Sequence, residues 1–268
     1  MRAFVEAGAC MAGRMVREAM RQMKRLTTAV ALVLTCGLDG RATAEGAWTT
    51  DVTVYGWFTG IEGDISAPAF GLGTSGTLSP RDVLDNLEGA FFAKVETWNG
   101  DFGLVFDLVS ADLGFDLFTP VPAPAAVRAE TSLALATIAA GWRVLSTASD
   151  EVDLFGGLRY VSFKAAAAAG PPLSVGGVVS EDWLDPLFGI KAIHQVTPRF
   201  GIQGVVDLGG FGVGSDLTIN AYAGGRYALN DRLTAEFGLR YISIDYSTER
   251  LDTKTDFWGP AIGLTYRF

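Results

Sequence analysis

Histidine occurs once in these 268 residues, and cysteine only twice, as Cys10 and Cys36 near the start. A chain with no thiol past residue 36 cannot be a small disulfide scaffold, and with one imidazole it has no spaced set of soft ligands for a metal. Charge is scarce as well, at 19% of residues, too little for a coiled coil, a disordered tail or a charge-rich cytosolic enzyme. Past residue 44 no run of about 18 consecutive apolar residues occurs, so a helical membrane span is excluded. A basic excess is also missing. Seven of the 21 basic residues but only three of the 30 acidic ones fall in the first 44, which leaves the remainder more acidic than the whole-chain −9. Such a chain has no electrostatic case for nucleic acid.

What is present begins with a leader. Met23-Lys24-Arg25 precedes an apolar stretch from Leu26 to Cys36 and then Arg41-Ala42-Thr43-Ala44. A basic start, a short apolar middle and small residues at Ala42 and Ala44 make a secretory signal peptide cut after Ala44. The residues before Met23 read either as a long basic lead-in or as a start assigned too early. Thr35 is large for the position before a lipidated cysteine, which argues against Cys36 as an anchor. The division expected is a signal peptide over 1–44 and one domain over 45–268.

From Trp48 onward apolar residues recur at every second position. Trp258, Ile262, Leu264, Tyr266 and Phe268 share one parity, with Thr265 and Arg267 on the other; Leu217, Ile219, Ala221, Ala223, Tyr227 and Leu229 repeat the pattern. A period of two is a strand. About ten strands are expected, near 48–64, 87–98, 102–117, 129–145, 152–165, 183–196, 199–209, 217–229, 232–247 and 255–268. Eight or twelve stay open, because 48–65 and 129–145 alternate poorly. Short turns such as Asn99-Gly100-Asp101, Thr197-Pro198 and Asn230-Asp231 alternate with longer links at 66–86, 119–128, 166–182, 210–216 and 248–254. Within the first link, Ser79-Pro80 could open a short helix.

An antiparallel up-and-down meander with short turns at one end and long loops at the other is the pattern of a transmembrane β-barrel, since inside lipid every backbone group must be paired. The soluble alternative is a lipocalin-like barrel with its apolar face inward. Aromatics sit at both ends of the apolar face: Phe102, Trp142, Phe200, Tyr227, Tyr266 and Phe268 toward the turns, Phe58, Tyr160, Tyr241 and Trp258 toward the loops. Two rings separated by aliphatics match two lipid–water boundaries and favour the membrane.

At the end of the chain, Ala261-x-Gly263-x-x-Tyr266-x-Phe268 resembles the terminal-strand signal that outer-membrane barrels present to their assembly machinery, with alanine where a polar residue is usual. Trp183 to Lys191, Asp207 to Asp216, Gly238-Leu-Arg-Tyr241 and Gly259-Pro260 resemble a family of bacterial outer-membrane β-barrel proteins of undefined function. The resemblance, over roughly 80–268, implies a fold and an outer-membrane location. It brings no catalytic residue with it. Lipid, lipopolysaccharide and the assembly machinery are the partners it implies.

Parity places Lys94, Glu96, Asp107, Arg143, Asp153, Arg159, Asp185, Lys191, Asp207, Arg226, Glu236 and Arg240 on the inward face, both signs being represented about equally. Charges in a narrow lumen must be paired or hydrated. A balanced set favours ion pairs that plug the barrel over a lining of one sign that selects solutes. Asp207 with Arg240, and Glu236 with Arg226, are candidate pairs. His194 falls on the lipid-facing parity near a turn, the wrong place for a catalytic base. The glycine-rich stretch from Gly209 to Asp216 lacks the spacing of a phosphate loop and reads as a tight loop. Acidic residues crowd the loops, among them Asp64, Asp82, Glu181, Asp216 and Asp252, as a solvated face or as a site for bridging cations. No cofactor and no catalysis are expected. The first reading is a structural or surface-exposed barrel with a closed lumen; a small porin-like passive channel is the alternative, and a barrel hydrolase the weakest of the three.

Overall fold

Antiparallel pairing between neighbours in sequence accounts for nearly the whole architecture. The computed structural model describes residues 48–67, 72–119, 125–170 and 176–268; the cleavage residues Ala42 and Ala44 lie outside them. In chain order the elements are β1 (Thr49–Trp57), β2 (Gly60–Ala67), β3 (Leu72–Leu78), α1 (Pro80–Asp85), β4 (Leu87–Asn99), β5 (Phe102–Thr119), β6 (Ala125–Ser146), β7 (Asp150–Ala169), β8 (Gly176–Gln195), β9 (Phe200–Gly210), β10 (Leu217–Ala228), β11 (Leu233–Ser247) and β12 (Asp252–Arg267). Strands β1 and β4 to β12 form a closed ring of ten, sealed by β1 against β12 from Asp51↔Arg267 to Trp57↔Ala261. Strands β2 and β3 are additional to the ring.

The addition is local. β2 continues the register of β1 along β12, from Gly60↔Trp258 to Ser66↔Asp252. On its other side β1 pairs with β4 only from Thr49↔Trp98 to Val54↔Ala93, above which β2 folds back on β3. The loop-end part of β4, Leu87 to Phe92, is therefore paired with β5 alone, and a seam separates it from β3. Helix α1 follows β3 and packs against β2 and β3. Its start is written as a capping box, in which Ser79 accepts from the amide of Asp82 and the Asp82 carboxylate accepts from the amide of Ser79, with Pro80 in the first turn. The Ser79 contacts hold the exposed Asp82 carboxyl below the usual carboxylate range. Val83 is the helix's buried residue.

Two links expected over 119–128 and 166–182 are largely strand: β5 runs to Thr119, β6 starts at Ala125, β7 reaches Ala169 and β8 starts at Gly176. The alanine run Ala165–Ala169 and Gly176-Gly177 show no alternation, yet Ala166↔Val178 and Ala167↔Gly177 pair in the ladder. Beyond the bilayer the backbone pairs without needing a lipid-facing side, so periodicity stops before the strand does. The β9–β10 hairpin, in contrast, is short. Past its end Trp183 of β8 and Tyr246 of β11 stack with ring centroids 3.8 Å apart.

The outer face is apolar and exposed, with Val54, Leu104, Ile138, Leu158, Leu184, Ile202, Leu239 and Ile262 among many. Exposed aromatics band it at both ends: Phe102, Trp142, Tyr227, Tyr266 and Phe268 by the turns, Phe58, Tyr160 and Trp258 by the loops. Such a surface is stable only in lipid. The closed ring satisfies its backbone internally, and the location is the outer membrane, where barrels of this kind reside.

One close approach shapes the wall. Gly224 and Gly238 are ladder partners, and a Cβ at Gly238 would lie 2.7 Å from the Gly224 Cα and 2.9 Å from Cζ of Tyr222, whose ring lies over the pair. Gly238→Val is expected to cost about 1–3 kcal/mol through overpacking, read as a lower urea midpoint for the folded, heat-modifiable band on gels.

Candidate functional site

The inward faces of the strands change character at one height. Toward the turns they are polar; one inward step toward the loops they become apolar. The step runs from Tyr55 to Trp57 on β1, Lys94 to Phe92 on β4, Asp107 to Val109 on β5, Thr137 to Leu135 on β6, Arg159 to Val161 on β7 and Arg240 to Ile242 on β11. The lumen is thus a polar plug beneath an apolar chamber.

The plug spans the barrel in four bonded groups. Glu96 of β4 lies between Lys94, 3.1 Å away, and Lys191 of β8, 2.6 Å away across the lumen. Arg159 donates to Asp207 at 2.8 Å and to Thr137 at 3.1 Å. Asn220 donates to Asp207 at 2.6 Å and accepts from Arg240 at 3.1 Å. Arg240 of β11 reaches Asp107 of β5 at 2.7 Å and also donates to the Tyr55 hydroxyl, which itself donates to Asp107 at 2.8 Å. Below these, Glu236 accepts from Gln203 at 3.0 Å and Thr265 at 2.9 Å. Arg143 pairs with Asp153 at 2.8 Å and lies over the Trp98 ring. Buried charges at this density are stable only because nearly every lone pair and proton is matched. Small cavities of about 100 Å³ and 70 Å³ sit within the plug. A polar vestibule of about 480 Å³ opens at the turn end, lined by Asp51, Arg226, Arg232 and Arg267 among others.

Of the twelve charged residues placed on the inward face, Lys94, Glu96, Asp107, Asp153, Arg159, Lys191, Asp207, Arg226, Glu236 and Arg240 line these lumen cavities, whereas Arg143 and Asp185 do not. Their pairing differs from the expected one. Asp207 and Arg240 are joined through Asn220 and not directly. Arg226 stands opposite Glu236 in the ladder but makes no ion pair with it, because Glu236 is taken by Gln203 and Thr265. Neutral partners decide the network, and the signal that Tyr55, Thr137, Gln203, Asn220 and Thr265 carry in the sequence is a polar side chain on the inward parity.

Asp185, at 0% exposure, ties down the glycine-rich loop. It accepts from the Ser215 amide and the Ser215 hydroxyl, both at 2.7 Å, from Thr218 at 2.8 Å and from the Trp183 indole at 3.2 Å. The loop reaches it through positive φ at Gly210 (91°), Phe211 (55°) and Gly212 (73°), values glycine tolerates and phenylalanine resists. His194 lies on the outer face by the turns, with Nδ1 2.7 Å from Asp150.

Above the plug is a chamber of about 150 Å³, walled by Trp57, Phe92, Val109, Leu113, Leu133, Phe163, Trp183, Ile244 and Phe257, with Val83 of α1 reaching in at the seam. Among the described residues, its lining holds no charged side chain. An inward face read as uniformly polar hides these positions; the signal lies in Ile242 and Ile244, apolar on the same parity as Arg240. Among the described residues, two buried side-chain atoms lack a hydrogen-bond partner: Nη1 of Arg159 in the plug and Nε1 of Trp57 at the chamber floor. At the end of the barrel, Tyr266 and Phe268 meet edge to face at 4.9 Å, and Gly263 leaves room for Tyr55.

No protein-family model and no curated protein sequence matches this chain. Solved structures do. The outer membrane protease OmpT from Escherichia coli superposes with a TM-score of 0.54 at 8% identity, covering 85% of this chain and 100% of that one. Ail, the attachment invasion locus protein of Yersinia pestis, gives 0.40 at 15% identity over 84% and 99% of the two chains, and the translocator domain of the autotransporter NalP from Neisseria meningitidis gives 0.39 at 14% over 94% and 98%. What the chain shares with the first of these is a fold, that of the bacterial outer-membrane β-barrels.

Proposed function

We propose that this barrel is a non-conducting, structural or surface-exposed component of the outer membrane, its lumen closed by its own side chains. The observation that carries the reading is the cross-lumen network, in which Arg240 joins β11 to β5 through Asp107 and Lys191 joins β8 to β4 through Glu96. A passive channel needs a continuous wet path, and here the polar cavities are separated by paired side chains while an apolar chamber follows in series. We assign it no catalysis, since its single histidine lies on the outer face away from loops and lumen. The surrounding lipid and lipopolysaccharide are its partners, and Gly263, Tyr266 and Phe268 form the signal read by the assembly machinery. The test is single-channel conductance of the refolded barrel in a planar bilayer. Silence from a preparation that shows heat-modifiable migration is the expected result. Steady, ohmic steps would overturn the closed-lumen reading and favour the porin-like one, with Arg226 at the vestibule as the first residue to examine for ion selectivity.

A further inference from the structure

We propose that the apolar chamber is a binding site for a small neutral molecule that is mostly hydrocarbon and carries one hydrogen-bond acceptor. Size and lining come first. About 150 Å³ bounded by aromatic and branched aliphatic side chains is the scale at which an apolar cavity stays dry and admits a single six-membered ring. An interior meant only as core would fill that space with side chains, because a void forfeits the contacts on its walls.

The Trp57 indole supplies the second observation. Trp57 lines the chamber, is 7% exposed, and its Nε1 has no partner. A buried N–H left unpaired is costly, and a carbonyl, ether or hydroxyl oxygen on the occupant would satisfy it. Charge on that occupant is disfavoured. The nearest cation at the floor, Arg240, lies 5.5 Å from the Trp57 ring and is already committed to Asp107, Tyr55 and Asn220. The hydroxyls of Thr253 and Thr255, also in the lining, bond to each other at 2.8 Å. The absence of charge in the lining and one buried donor without a partner, the Trp57 N–H, set the chemistry, with the threonine hydroxyls of the lining as secondary polar points. Near the loop end of β4 the apolar side chains Phe58, Leu84, Leu87 and Phe91 are exposed, and Val83 of α1 contributes to the chamber lining.

The inference rests on the closed-floor reading above, in which the plug makes the chamber a dead end. Its test uses the refolded barrel in micelles with ¹⁵N-labelled indoles, the Trp57 signal being assigned by Trp57→Phe. Cyclohexanone is the probe and cyclohexane the matched molecule without an acceptor. The expected result is a saturable downfield shift of the Trp57 indole proton with cyclohexanone, competed by cyclohexane, which itself causes no downfield shift. Ala111→Phe, which fills the chamber from β5, should weaken the cyclohexanone response about tenfold or more; Leu133→Trp serves the same purpose if that variant does not fold. An immobile Trp57 signal, a shift that never saturates, or an unchanged response in a folded chamber-filling variant would overturn the proposal. Conductance reports the floor and the Trp57 proton reports the chamber, so the two readings fail separately.

Discussion

Arg240→Ala is expected to cost the folded barrel about 3–5 kcal/mol, the range for removing one partner of a buried charge pair. The side chain serves three acceptors on three strands: Asp107 on β5, the Tyr55 hydroxyl on β1 and Asn220 on β10. Without it the Asp107 carboxylate keeps only the Tyr55 donor and, as the nearby cation, its ladder partner Lys94, which is already paired with Glu96. Urea unfolding in micelles, followed by far-ultraviolet circular dichroism and by loss of heat-modifiable migration, measures the cost. The double variant Arg240→Leu with Asp107→Leu should recover most of it, because the penalty lies in the stranded charge and not in the absence of the pair. Arg226→Ala is the control. That guanidinium lines the turn-end vestibule and makes no ion pair among the described residues, so its loss should stay within about 1 kcal/mol. Equal costs at the two positions would mean that the plug is not what holds the lumen together.

The contrast between these two arginines also marks what the sequence could reveal. Parity alone put both in the lumen, because a period of two assigns faces without knowledge of depth or neighbours. It could not say which carboxylate each would meet. Pairing follows from barrel closure and strand stagger, which set Arg240 across from Asp107, four strands away around the ring, whereas Asp207 is nearer in sequence order but separated by Asn220. The outer face was the most legible part. Trp258, Ile262, Leu264 and Tyr266 must all meet lipid, and no other force competes for that parity. Strand ends were less so, since Ala165–Ala168 pairs with β8 above the bilayer without any alternation to announce it. Strand β3 was hidden for a related reason: Leu72–Leu78 is mostly glycine, serine and threonine, and it adds to the edge of β2 through its backbone. The chamber was concealed by an assumption. Val109, Leu135, Val161 and Ile242 lie on the inward parity, but an apolar residue on an inward face looks like a lapse in the pattern until six strands are seen to change at one height.

Asp185→Ala should be nearly as damaging, on the order of 4 kcal/mol, and for a different reason. Among the described residues the carboxylate pairs with no cation; it gathers four donors. Two are hydroxyls, Ser215 and Thr218, which already lie 2.8 Å apart and can turn to each other when it is gone. The Ser215 amide and the Trp183 indole have no such recourse, and each buried N–H left without an acceptor costs about 1–3 kcal/mol. The damage is also directional. Ser215 anchors a loop whose backbone carries positive φ at Gly210, Phe211 and Gly212, a strained path that persists only while the surroundings hold it. Released, that loop should become a chymotrypsin site at the exposed Phe211, while the Trp183–Tyr246 stack that spans the low wall of the β9–β10 hairpin loosens and shifts tryptophan emission. Asp185→Asn keeps one acceptor oxygen and should lose about half as much stability, with partial protection at Phe211. Full resistance to chymotrypsin in the alanine variant, at unchanged urea midpoint, would show that strand pairing alone sets the loop and that the buried carboxylate is incidental to it.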